Sequence, residues 1–167
     1  MEYIKYRKLM KKDIKKLSAL IIKIYNELPE SMHFNNKPTK KLVREILTSK
    51  LTLQKGLNLV DIIALDKNEN VIGECEIVKK YDLKNDFYGI IGIIVDSSSR
   101  NKNIGTTLLN NAISKTSRLE IKKLVAEVSQ KNKPAINFFI KNKFKEKEEA
   151  IKKVKNNDFI LTFEKNL

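Results

Sequence analysis

Two short stretches of this 167-residue chain combine residue types and spacings suited to chemistry. The first is Arg100-Asn101-Lys102-Asn103-Ile104-Gly105, running into Thr106 directly after the apolar Ile93-Ile94-Val95. A strand that enters a helix through such a loop leaves the first-turn amides without intrahelical acceptors, at the positive end of the helix dipole. That is an anion site, and a pyrophosphate suits it. Gly105 would let a ligand approach the backbone closely, and Arg100 and Lys102 add positive charge. An ordinary strand-to-helix turn uses the same residues, so the loop alone leaves both readings open. The second stretch holds Glu74 and Glu76, which share one face of a strand. They are either solvated charges on a sheet face or carboxylates able to take up a proton.

The elements that must position these residues follow from hydrophobic period. Tyr3 to Leu9 alternates weakly, as a strand would. Ile14, Leu17, Ile21, Ile24 and Leu28 then recur at helical spacing, with Asp13 expected as N-cap and Pro29 as stop. Glu30 to Pro38, which holds the lone His33, reads as a loop, and Thr39 can cap a second helix carrying Leu42, Val43, Ile46 and Leu47. Leu59 to Leu65 and Val71 to Val78 read as a hairpin about the polar turn Lys67 to Asn70. Phe87 to Val95 is apolar on both faces, which predicts a buried central strand. A helix from Ile104, a strand over Leu124 to Val128, a helix over Pro134 to Ile140 capped by Asn132, and strand-like Phe144 and Phe159 to Phe163 complete the chain. The order is β-α-α-β-β-β-α-β-α-β-β. With no repeat or linker, it predicts one mixed α/β domain over residues 1–167.

Composition excludes several classes. One Cys and one His leave no disulfide framework and no Cys/His zinc site. The longest uncharged apolar run, Gly89 to Val95, is far short of the roughly 18 residues a membrane helix requires. No charged-then-apolar leader opens the chain, so the expected compartment is the cytoplasm and no membrane partner is expected. The net charge is +14, yet only four of the 34 basic residues are arginines, and the lysines are scattered from Lys5 to Lys165. Lys, Asn and Ile are in joint excess, as AT-rich coding produces. A nucleic-acid reader favours clustered charge and Arg, so composition bias is preferred here over a nucleic-acid partner.

The loop resembles the acetyl-CoA motif [RQ]-x-x-G-x-[GA] of the GCN5-related N-acetyltransferase (GNAT) superfamily. A second stretch, Asn132-Lys133-Pro134-Ala135-Ile136-Asn137-Phe138-Phe139 through Lys143-Phe144, is similar to that family's Asn-x-x-Ala-x-x-Phe-Tyr-x-x-x-Gly-Phe signature. The element order also matches the family's from end to end. The resemblance implies a mostly antiparallel sheet of six to seven strands flanked by about four helices, its central strands splayed to admit acetyl-CoA. It implies transfer of an acetyl group to a primary amine of a protein, peptide or small molecule by direct attack in a ternary complex, with no metal. Backbone groups of Ile93, Ile94 and Val95 would hold the coenzyme's arm. The amides from Arg100 to Thr106 would hold its pyrophosphate, Asn132 would contact the arm, and Ala135 to Phe139, with Phe138 among them, would border its far end. Members often form dimers.

Three departures stand out. Asn103 and Lys143 occupy family glycine positions, and Asn is the better suited of the two to a left-handed backbone. Phe139 stands where the family has a Tyr that protonates the departing thiolate, so that role falls to Tyr88, Ser129, water or nothing. Glu74 or Glu76 would be the base or the amine-binding carboxylate. His33 and Tyr88 are candidate acceptor contacts, and Cys75 should be a buried apolar residue. Two other readings remain at this level: a non-catalytic coenzyme-binding regulatory module, and a basic RNA- or ribosome-binding module.

Overall fold

The computed structural model describes residues 3–29, 37–81, 86–154 and 158–167. Apolar side chains at alternating positions set seven strands into one sheet, and helical stripes cover both its faces. The elements are β1 (Lys5–Lys8), α1 (Ile14–Glu27), α2 (Lys40–Lys55), β2 (Leu59–Leu65), β3 (Val71–Tyr81), β4 (Phe87–Val95), α3 (Ile104–Ile113), β5 (Lys123–Ser129), α4 (Lys133–Lys141), β6 (Lys145–Val154) and β7 (Asp158–Asn166). The sheet order is β1-β2-β3-β4-β5-β7-β6, and every pairing is antiparallel except β4 with β5. This mixed α/β architecture, a largely antiparallel seven-stranded sheet with four α-helices, is the one expected.

The two faces bury different clusters. Val60, Ile62, Ala64, Cys75, Ile77 and Ile91 point toward α3, where Ile104, Leu108, Leu109 and Ala112 meet them. Ile63, Leu65 and Val71 point the other way, against Leu17, Ile21 and Ile24 of α1 and Val43 and Leu47 of α2. Cys75 is fully buried, as expected, and burial pushes its thiol well above the ordinary range.

Two helix starts use the side chains foreseen. Thr39 Oγ1 accepts from Leu42 N at 3.2 Å, and Asn132 Oδ1 accepts from Ala135 N at 3.2 Å. Asp13 does otherwise. It closes a 3-10 turn over Lys11–Asp13 and makes no cap bond to α1. Its carboxylate accepts instead from Met10 N at 2.9 Å and from both Arg7 Nη atoms at 2.7 and 2.8 Å. A bidentate guanidinium outcompetes a single helix amide for a buried carboxylate. Burial alone would raise the Asp13 pKa, but Arg7 and Met10 N outweigh it and hold it low.

A second difference concerns β4. Only Gly89 and Ile91 are fully buried in it, because one side of the strand opens on a cleft. Among the described residues no helix is long and apolar enough to cross a membrane.

The end of α4 carries backbone strain. Lys143 sits at φ 66° in the left-handed region, its N–H bonded to Ile140 O at 2.9 Å, and Phe144 N reaches Phe139 O at 3.0 Å. A side chain there is disfavoured relative to glycine. Lys143→Gly is therefore expected to raise unfolding stability by about 1 kcal/mol, read as a higher urea midpoint at unchanged m-value.

Candidate active site

The site begins where two strands part. β4 pairs with β5 only through Tyr88↔Lys123, Gly89↔Leu124 and Ile90↔Val125. Beyond Ile90 the strands diverge around a cleft of about 870 Å³, floored by Ile91 to Val95 and bordered by Glu127, Val128 and Ser129. Along this stretch β4 stays paired with β3 on its other side, Ile91 with Ile77 through to Val95 with Gly73. The backbone groups of Ile91 to Val95 that face β5 therefore have no strand partner. They are an open template for an extended amide-bearing ligand.

One end of the cleft is built by the loop and α3. Asn101 and Asn103 both take left-handed conformations at φ 61°, which asparagine tolerates better than most residues. Arg100, Asn101, Asn103, Ile104, Gly105 and Thr106 line the cleft, whereas Lys102 does not. The first-turn amides of α3 point into this end. Gly105 has no positive φ, and its role is spacing: a Cβ there would stand 3.0 Å from Phe138 Cε2. Arg100 is anchored, its Nε donating to Val95 O at 3.2 Å and its Nη2 lying 3.9 Å from Glu27. That carbonyl is consequently shared between Arg100 and any ligand on β4. Lys23 of α1 braces the same loop, bonding both Asp96 oxygens at 2.9 and 2.8 Å. Burial pushes the Asp96 carboxyl up, yet Lys23 and Ser98 outweigh that and hold it below its usual range.

The other wall is α4. Asn132, Ala135, Phe138 and Phe139 all line the cleft. Phe139 is buried, edge-on to Phe138 and Phe144 with centroids at 5.3 and 5.0 Å, and stacked on Phe163 at 6.2 Å. Ser129 also lines the cleft, its Oγ accepting from Lys131 N at 3.1 Å. Tyr88 does not, since it sits at the paired end of β4 opposite Lys123. His33 lies outside the described residues.

Glu74 and Glu76 are not the solvated face that one reading expected. They project to the α1/α2 side of the sheet, where Lys50 of α2 bonds Glu74 Oε1 at 3.0 Å and Glu76 Oε2 at 2.8 Å. Glu76 Oε1 lies over Gly92 of β4, where a Cβ would stand only 3.0 Å from it. Gly92 in turn floors the cleft, but neither Glu74 nor Glu76 is among the residues that line it; the acidic side chain that does is Glu127 of β5, and Glu76 stands behind the Gly92 floor. Asp61 of β2 completes the group, and the three carboxyls offer oxygens within 4.8 Å of one another. Burial raises the Glu76 pKa, with Lys50 opposing and Glu74 reinforcing. Burial would lower the Lys50 pKa, but Glu74, Glu76 and Asp61 outweigh it and drive it up. Asp61 is wholly buried, and neither oxygen receives a donor. Burial and the adjacent Glu74 raise its pKa far above the ordinary range, favouring the protonated form with its proton directed at Glu74.

The sequence reading missed Lys50 and Asp61. Both left a signal: Asp61 interrupts the otherwise apolar Leu59 to Leu65, and Lys50 falls three residues after Leu47 on the buried stripe of α2.

Residues 22–144 match the model of the acetyltransferase (GNAT) family, which covers most of the chain. The chain belongs to that family. It is an acetyltransferase, and its acetyl donor is acetyl-CoA. No curated protein matches it significantly. Its fold is shared by the ribosomal-protein-alanine N-acetyltransferase of Brucella melitensis, at TM-score 0.78 and 17% identity over 98% of this chain and 99% of that one. A phosphinothricin acetyltransferase of Sinorhizobium meliloti, solved in complex with acetyl-CoA, superposes at TM-score 0.81 and 14% identity, over 98% of this chain and 88% of that one. An N-acetyltransferase of Staphylococcus aureus does so at 0.78 and 18% identity, over 98% of each chain. The family's donor fits the residues present: unpaired strand backbone, an unobstructed helix start and a small residue at Gly105 face one continuous cleft.

The raised Asp61 pKa fixes a pH dependence. An acid that binds its proton more tightly when folded contributes stability below its unfolded pKa, and loses it as pH rises toward the folded value. Asparagine mimics the protonated carboxyl and cannot ionise. Asp61→Asn is thus expected to gain Tm relative to the parent as pH rises from 5 to 8, checked by thermal melts across that range.

Proposed function

We propose that the whole chain acts as one N-acetyltransferase domain, moving an acetyl group from acetyl-CoA to a primary amine with Glu76 as general base. The observation that supports this reading is the position of Glu76 Oε1 behind Gly92, a residue that floors a cleft also lined by a helix start suited to phosphates.

The steps follow from the groups present. The acceptor arrives as an ammonium, and Glu76 takes one proton so that the nitrogen gains a free lone pair. That nitrogen attacks the thioester carbonyl, and unpaired β4 amides facing the cleft stabilise the oxyanion. The C–S bond then breaks. The sulfur receives one of the nitrogen's two remaining protons through water, because Phe139 has none to give, and the other stays as the amide N–H. A thiol pKa of roughly 8.5 makes that departure tolerable without a phenol. Ile93 and Val95, whose backbone groups face the gap while those of Ile94 face β3, pair with the coenzyme arm, the loop from Arg100 to Thr106 takes the pyrophosphate, and Asn132, Ala135 and Phe138 border the arm. The acceptor is either a protein N-terminal or lysine amine, in line with the Brucella protein's name of ribosomal-protein-alanine N-acetyltransferase, or a small amine, in line with the Sinorhizobium protein's name of phosphinothricin acetyltransferase.

Calorimetric titration with acetyl-CoA should show one site, and Gly105→Glu should abolish it by driving a charged side chain against Phe138 and the phosphate end. No heat from the parent at tens of micromolar would remove the reading. With a panel of peptides and small amines, release of coenzyme thiol should follow kcat/KM with a single ascending limb in pH and no descending limb from a tyrosine. Glu76→Gln should lower kcat by about 100-fold or more and erase that limb.

A further inference from the structure

The Lys50 cluster has a feature that a structural salt bridge does not need. Three carboxyls and one ammonium converge beneath α2, yet the ammonium divides its two short contacts unequally in consequence. Glu74 is buried and ends there. Glu76 is partly exposed, with one oxygen held by Lys50 and the other over the cleft floor at Gly92. We propose that Lys50 is a positioning residue: through its bonds to Glu74 and Glu76 it aims Glu76 Oε1 at the acceptor amine and keeps that carboxylate ionised. This rests on Glu76 being the base.

Geometry supports it from each packed element. From α2 comes Lys50 alone among charged groups in the cluster. From β2 comes Asp61, and from β3 come Glu74 and Glu76, with Cys75 on the opposite face. β4 offers Gly92 and Ile94, and α1 offers Leu17, Ile21 and Ile24, none of which titrates. Among the described residues, Glu76 would therefore have no cation within the cluster without Lys50. Its side chain would be free to swing, and its proton would be held to higher pH. The cluster is not proposed as a divalent-metal site, since the Lys50 ammonium already stands among its oxygens.

Lys50→Met, read beside Glu76→Gln, tests this on the full chain with acetyl-CoA and the best amine from the panel. The expected result is a kcat at least about tenfold lower and an ascending limb displaced upward by about one pH unit or more. The calorimetric Kd for acetyl-CoA should stay within about twofold of the parent. A limb in the same place, or a parallel loss of acetyl-CoA affinity, overturns the proposal. If Glu76→Gln keeps the limb, the base assignment itself fails, whatever Lys50→Met does. If Lys50→Met does not fold, Lys50→Arg decides: it keeps the charge but displaces the donors. A reduced kcat with the limb unmoved and acetyl-CoA affinity intact supports positioning, and a parental kcat overturns it.

Discussion

Everything in this molecule depends on where the β4–β5 ladder stops. Three residue pairs hold the strands together at Tyr88 to Ile90, and then they part. Each is secured on its far side: β4 by nine pairings to β3 and β5 by seven to β7. The gap is therefore not a frayed edge but a break inside the sheet, flanked on both sides by the β3–β4 and β5–β7 ladders. Backbone groups left there need partners, because a desolvated N–H or C=O without one is costly. A ligand with amides of its own supplies them, which is why a fold of this kind can bind a pantetheine arm with no specialised side chain.

The acceptor side is organised by a different constraint. Burying three carboxyls beside one lysine is unfavourable for stability taken alone, since desolvation opposes every charge moved out of water. The cost is contained in two ways. Asp61 favours its neutral form, and Lys50 pairs with the two glutamates that remain. What is left is one carboxylate with its free edge at Gly92. The glycine at that position leaves room for Glu76, since a Cβ there would stand 3.0 Å from Oε1 and make the carboxylate give way by a few tenths of an ångström.

The elements were legible because their signals are local. Thr39 and Asn132 cap the helices they precede, Leu59 to Leu65 and Phe87 to Val95 match their strands to the residue, and Asn103 adopts the positive φ its type tolerates. The cleft wall from Ile93 to Thr106 was legible for the same reason, since a strand, a loop and a helix start adjoin in sequence. The pairing of Lys50 with Glu76 was not, because 26 positions and a change of layer separate them. Asp13 misled through competition: its cap role was visible locally, whereas Arg7 reaches it from another element. The expected solvated face of Glu74 and Glu76 failed similarly, because period 2 shows that two residues share a face but not what covers it.

Charge can now be assigned by place rather than by sum. The chain's excess of lysine says little, because most of it is spread over the surface. Within the cleft, Arg100 and the first turn of α3 put positive character at one end, where a coenzyme that carries phosphates is attracted. Glu76 lies behind Gly92, outside the residues that line the cleft, and in the proposed mechanism its charge acts on an acceptor ammonium across that floor. Phe139 fits the proposed mechanism: with a phenylalanine there, the wall beside the thioester contributes shape alone, and the proton that reaches the sulfur has to come through water.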